Sequence, residues 1–305
     1  MTDLTVAIGS LRLKNPVLTA SGTFGYGLEY ADLVDLNRLG GIVVKGLSLE
    51  PHSGNPPPRL AETPAGLLNS IGLENIGLKA FVRDKLPRLR DFDVAVIVNI
   101  WGETGQDYCR LAEALGREKG LAALELNVSC PNKEGRIMCL GQSAEATGRL
   151  VEAVKGATDL PLWVKLTPNV TDHVPVALAA QQAGAEAISL INTLQGMAVD
   201  ARTRRPKLAN VLGGLSGPAV KPVALRMVWQ AARVLDIPVI GLGGIITGLD
   251  AAEFIIVGAA AVQVGTASFV NPRASLDVLE ELERFCGEEG ISSLSELRGS
   301  LRLPD

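Results

Sequence analysis

The chain has 305 residues, 47% of them apolar, 20% charged and 4% aromatic, with a net charge of -4. That balance describes a globular protein with ample core, gives no reason to expect a nucleic-acid surface, and includes no apolar run near the roughly 20 residues that span a bilayer. Four widely spaced cysteines (Cys109, Cys130, Cys139, Cys286) and two histidines (His52, His173) argue against a zinc site, an iron–sulfur cluster, a disulfide scaffold or a His-based triad in this chain. The segment Met1-Thr2-Asp3-Leu4 shows no basic stretch followed by an apolar one, so a cytoplasmic location is expected.

Residues 4–13 alternate apolar and polar around Gly9-Ser10 and read as a short hairpin. The first buried run, 16–20, ends in Ser21, and residues 29–36 have helical spacing. A second run, 41–44, ends in Lys45-Gly46. A long segment rich in Pro, Gly and Asn follows to about residue 75, too long for a plain connection and expected to be a functional loop. After a helical stretch, the run 94–98 ends in Asn99. The next units are a helix over 103–119, a strand into Asn127, and a helix over 143–155. The run 161–164 ends in Lys165, with Asp172 placed to cap the following helix. Residues 187–191 lead into Asn192-Thr193, then a second long loop carries Arg202, Arg204, Arg205 and Lys207 to Gly213–Gly217. Pro218 suits a helix start, because its missing N–H would be unsatisfied there. The last two runs, 238–240 and 260–264, end in Gly243-Gly244 and Gly265-Thr266, and a charged helical tail follows Pro272.

Eight buried runs alternate with helical stretches, most repeats being about 25 residues long. This pattern predicts an α/β fold: one (β/α)8 barrel domain over 1–305, with a short N-terminal hairpin and long βα loops over the C-terminal face. A doubly wound sheet is the rival, but the Gly-x-Gly-x-x-Gly fingerprint after the first strand is absent.

Ligands of such barrels bind at the carboxyl ends of the strands. Those ends carry Ser21, Lys45, Asn99, Asn127, Lys165, Asn192, Gly243-Gly244 and Gly265-Thr266. Glycines after the last two strands let backbone N–H groups approach a phosphate. Two lysines directly ending apolar runs call for an anion, and asparagines suit a planar ring with amide edges. The set resembles a flavin mononucleotide (FMN) pocket, and no acidic cluster for a metal appears among these ends. Cys130, on a loop stiffened by Pro131 after the fourth run, is either a small buried hydrophobe or a reactive thiol.

These residues resemble the catalytic chain of class 1B dihydroorotate dehydrogenases over nearly the whole length. The carriers are Val43-Val44-Lys45-Gly46-Leu47, Gly54-Asn55-Pro56-Pro57-Pro58-Arg59, Asn69-Ser70-Ile71-Gly72-Leu73 and Glu125-Leu126-Asn127-Val128-Ser129-Cys130-Pro131-Asn132. Later matches are Ile191-Asn192-Thr193-Leu194-Gln195-Gly196, the stretch 213–218, Ile240-Gly241-Leu242-Gly243-Gly244 and Val264-Gly265-Thr266. The resemblance implies FMN contacts from Ser21, Lys45, Gly46, Asn99, Asn127, Lys165, Ile191, Gly217, Gly243, Gly244, Gly265 and Thr266. It implies dihydroorotate contacts from Lys45, Asn69, Ser70, Ile71, Gly72, Leu73, Asn127, Asn132, Asn192 and Thr193. Cys130 becomes the general base that takes the C5 proton while hydride leaves C6 for flavin N5, with Lys45 and Lys165 as the other catalytic groups. Lys165 would steady the reduced flavin, and Lys45 with backbone N–H groups near 70–72 would hold the substrate carboxylate.

Class 1B further implies a partner subunit carrying FAD and a 2Fe–2S cluster that passes electrons to NAD, and a dimer of catalytic chains within a heterotetramer. The loop 133–140 departs from the family pattern, which bears on lid packing. The competing readings are a fumarate-using class 1A-like enzyme, a tRNA-dihydrouridine synthase and a non-enzymatic flavin barrel. The second should show a basic face and an extra helical domain, and neither is visible. The third would leave Cys130, Asn132 and Asn192 without a reason to converge.

Overall fold

The computed structural model describes residues 2–129 and 140–304. Eight parallel strands pair in chain order: β1 (Val17–Thr19), β2 (Gly41–Leu47), β3 (Ala95–Ile100), β4 (Ala123–Asn127), β5 (Leu162–Lys165), β6 (Ala187–Leu190), β7 (Val239–Leu242) and β8 (Ala261–Val264). β8 pairs back onto β1, with Val262 opposite Val17, so the sheet closes into the expected (β/α)8 barrel.

Around it run α1 (Gly105–Gly116), α2 (Ala144–Lys155), α3 (Val174–Gln182), α4 (Lys221–Ala232), α5 (Gly248–Ile256), α6 (Ala267–Val270) and α7 (Ala274–Glu288). Three of these starts follow from side-chain caps. Thr104 with Asp107 and Thr247 with Asp250 form reciprocal boxes, and Ser143 accepts from the Ala146 N–H. α3 begins one residue later than the sequence suggests. His173 holds the cap position, while Asp172 Oδ1 accepts the Val174 N–H. Among the described residues no helix is long and apolar enough to cross a membrane.

Alternation along the strands sorts side chains into layers inside the barrel. The amino-terminal layer is apolar: Leu18, Val43, Ile97, Ala123, Trp163, Ala187, Ile240 and Ala261 pack together with Ile8 and Leu13. The last two belong to the hairpin Val6–Ile8/Leu11–Leu13, which plugs that end of the barrel. Two residues further along their strands the character changes to Lys45, Asn99, Glu125, Lys165, Ser189 and Gln263, and the last five of these are buried. A dry plug beneath a polar layer leaves chemistry to the other mouth.

One expectation needs correction. Residues 29–36 are not an α-helix but two 3₁₀ turns, Leu28–Tyr30 and Leu36–Arg38, with Asp35 capping the second. Gly25 and Gly27 hold positive φ before the first turn, and Glu29 turns back to accept the Tyr26 N–H and pair with Lys85. So short a stretch, tied down locally, has no length over which a helix could propagate. The two long loops carry strands of their own. Strands Leu60–Thr63 and Gly66–Asn69 from the first pair with Leu212–Ser216 and Leu194–Met197 from the second in one antiparallel four-stranded sheet. Glycine hid these strands: a Cβ on Gly213 would stand 2.7 Å from the Asn69 carbonyl oxygen, and one on Gly214 only 2.0 Å from Thr193 Oγ1.

Candidate active site

The strand ends expected to carry chemistry do meet at one mouth. Lys165, at the end of β5, is almost wholly buried and donates from Nζ to Ser21 Oγ beyond β1 (3.0 Å). Asn127, ending β4, receives the Asn192 amide at 3.4 Å and the Ser129 N–H at 3.1 Å, while Ser129 Oγ donates to the Lys165 carbonyl (3.0 Å). Asn192 Oδ1 in turn accepts the Thr193 N–H (2.7 Å). Lys45 keeps its ammonium 3.9 Å from Glu74, which is also paired with Arg59 at 2.7 Å. Cys130 and Asn132 lie outside the described residues.

Asn69 to Leu73, the expected substrate loop, is braced from several sides. Asn69 Nδ2 donates to the Gly214 carbonyl (3.2 Å), tying the loop to the sheet over the mouth. Asn55 donates from Nδ2 to both the Ser70 carbonyl and Oγ, each at 3.1 Å, and its N–H reaches the Ile71 carbonyl at 2.9 Å. Asn75 bonds Ser48 and the Leu73 carbonyl. The Ser70 N–H donates to the Arg59 carbonyl (2.8 Å), so it serves the loop rather than a ligand. Leu73 sits at φ 59°, a conformation its side chain tolerates poorly and the bracing maintains.

The corner expected to take a phosphate is built from backbone. Gly217, Gly243 and Gly244 all have positive φ, at 90°, 124° and 78°. A Cβ on Gly217 would come within 2.9 Å of Gly66 Cα, and one on Gly244 within 3.0 Å of the Gly217 carbonyl oxygen. Ile191 packs against the bare face of Gly243, and a Cβ on Gly265 would touch Ala20 and Thr23 at ordinary contact distances of 3.4 to 3.9 Å. Thr266 Oγ1 donates to Ser216 Oγ (2.7 Å), joining the last strand end to the mouth sheet. Asp250 pins the turn after β7: its Oδ2 accepts the N–H groups of Ile246 and Thr247, and its Oδ1 meets Lys221 at 2.6 Å. Burial pushes the Asp250 carboxyl up, but Lys221 and these N–H groups outweigh it and hold the group below its ordinary value.

One participant is absent from the set read off the sequence. Glu125, on the inward face of β4, is fully buried. Its Oε1 accepts from Asn99 Nδ2 (2.8 Å) and lies 3.8 Å from Lys165 Nζ; its Oε2 accepts from Ser189 Oγ (2.8 Å) and Gln263 Nε2 (2.7 Å). The anion expected beside Lys165 is thus supplied by the protein itself. Alternation would have found it, since Ala123, Glu125 and Asn127 share one face of the strand.

A mouth with one buried ammonium, converging carboxamides and a glycine cradle can bind a planar amide-edged ring that carries a phosphate. The family model described as dihydroorotate dehydrogenase matches residues 3–286. The chain is similar to the dihydroorotate dehydrogenase B (NAD(+)) catalytic subunit of Pelobacter propionicus, 54% identical over 300 residues covering 98% of each chain. It is 53% identical over 302 residues to the protein of the same name in Geotalea daltonii, covering 99% of each. Identity to that of Trichlorobacter lovleyi is 55% over 299 residues, 98% of each.

Proposed function

The chain belongs to the dihydroorotate dehydrogenase family, and from that premise we propose that it oxidises (S)-dihydroorotate to orotate in pyrimidine synthesis, as the catalytic subunit of an NAD-dependent, class 1B enzyme of the cytoplasm. The observation that carries the reading is the meeting of Ser21, Lys165, Asn127 and Asn192 from four strand ends at one mouth.

The residues present fit FMN. Gly217, Gly243 and Gly244 hold positive φ in a closely packed turn with no room for side chains, which leaves backbone N–H groups bare, and with Gly265 and Thr266 they would take the phosphate. Ser21, Lys45, Gly46, Asn99, Asn127, Lys165 and Ile191 would hold the ring. Bound there, FMN supplies a two-electron acceptor for the hydride that leaves dihydroorotate C6. The chain does the rest. Cys130 removes the C5 proton as thiolate. Lys45 faces the substrate carboxylate, and Asn69, Asn127, Asn132, Asn192 and Thr193 fix the substrate's rotation so that C5 stays within reach of the base. Ser70, Ile71, Gly72 and Leu73 close the remaining side through the bracing of Asn55 and Asn75.

The relatives are named as catalytic subunits, which supports a separate electron-transfer partner. We assign FAD and a 2Fe–2S cluster to that partner, NAD as the final acceptor, and two catalytic chains to a heterotetramer. Residues 1–305 are read as one domain. The test is Cys130→Ala followed by stopped flow under nitrogen. The variant keeps the yellow flavin spectrum, and its reduction by dihydroorotate slows by about 10²–10⁴. Reduction at the wild-type rate removes Cys130 from the role.

A further inference from the structure

Among the described residues, Glu125 is the one buried carboxylate in the barrel interior that the chemistry above leaves unused. Burying a carboxylate is costly unless charge and hydrogen bonds compensate it, and apolar packing at such a position is often as stable or more so. The layer directly beneath is such a packing, built from Val43, Ile97, Ala123 and Trp163. At Glu125 the chain instead commits polar groups from four other strands: Asn99, Lys165, Ser189 and Gln263. Two of these, Asn99 and Lys165, are the groups assigned above to the flavin ring. With its Nδ2 committed to Glu125, Asn99 keeps Oδ1 as an oriented acceptor, 2.9 Å from where a Cβ of Gly46 would stand.

We propose that Glu125 is a positioning residue that sets the electrostatics of the flavin site: its carboxylate offsets the ammonium of Lys165 and fixes the Asn99 amide, which keeps the bound flavin's midpoint potential low. This rests on the FMN reading above. Electrons added to a flavin leave negative charge on its ring, so an uncompensated ammonium would stabilise the reduced form and hold the electrons. A neutralised one favours passing them on to a low-potential acceptor. The Glu125–Lys165 pair, 3.8 Å apart within a water-poor layer, is where that balance is made.

The test is the midpoint potential of the purified holoenzyme, measured by dye equilibration at pH 7. Glu125→Gln, which keeps shape and removes charge, raises the potential relative to wild type. Glu125→Asp, which keeps a carboxylate, returns it toward wild type, and Ser189→Ala, which removes a hydrogen bond but no charge, leaves it in place. A potential in Glu125→Gln that is unchanged or lower overturns the proposal. So does failure of that variant to fold, since the carboxylate then serves the fold alone. Wild-type protein that carries no flavin, or flavin that dihydroorotate does not reduce, overturns the functional reading instead and is seen before any variant is made.

Discussion

Gly244 ties a backbone angle to cofactor affinity. Its φ of 78° disfavours any side chain, and a Cβ there would press on Lys221 and on the Gly217 carbonyl oxygen. Gly244→Ala should therefore distort the turn where FMN's phosphate is proposed to sit, while the barrel itself folds. We expect FMN affinity, titrated into the apoprotein, to fall by about tenfold or more, corresponding to the order of 1–3 kcal/mol for backbone strain. Unchanged affinity would move the phosphate elsewhere. At this scale the sequence was most legible where a residue ends an apolar run. Ser21, Asn127, Lys165 and Asn192 were all found that way, and the structure joins them by hydrogen bonds. Glu125 escaped because it lies inside its run, where charge is hidden among Leu124 and Leu126. The bracing residues Asn55 and Asn75 escaped because their partners are backbone carbonyls and serine hydroxyls that no sequence pattern marks.

At the scale of elements, strands and capped helices follow from alternation, apolar runs and Ser/Thr caps, and these were read within a residue or two at most starts. The mouth sheet was not, because its strands pair across about 145 residues through glycines that carry no alternation. Two elements give direct tests. The hairpin plug buries Ile8 completely against the base of the barrel. Ile8→Ala should cost about 2–5 kcal/mol in urea unfolding, with the flavin spectrum intact, since the cavity opens at the end away from the mouth. A cost below 1 kcal/mol would mean the hairpin is not part of the core. The cap of α3 is His173, which is buried with Nε2 against the Met227 carbonyl of α4. Burial holds its pKa below the ordinary 6.5, against the smaller opposing effect of that hydrogen bond. A group with a depressed folded pKa stabilises fully above its unfolded value and loses that contribution as pH falls. Thermal stability should accordingly decline as pH drops below about 6.5, and His173→Asn should flatten that part of the curve. An identical pH profile in the variant would contradict the assignment.

Across the whole molecule, an apolar plug, a polar middle layer and the mouth proposed to carry the chemistry follow one another along the barrel axis. The closed sheet makes that gradient possible, because alternation sends every second side chain inward at a fixed height. Loops after β1 to β8 then differ without disturbing the layers below. This is why the strand ends could be read from sequence, whereas the long-range sheet needed the fold. The account as a whole rests on electrons passing from dihydroorotate into a flavin held at this mouth. Anaerobic mixing of the purified chain with one equivalent of dihydroorotate tests it most directly. The account predicts loss of the visible flavin absorbance with appearance of one equivalent of orotate, and recovery of the absorbance on adding NAD only when the partner subunit is present. A chain that binds no flavin, or whose flavin absorbance does not change on mixing, would contradict it.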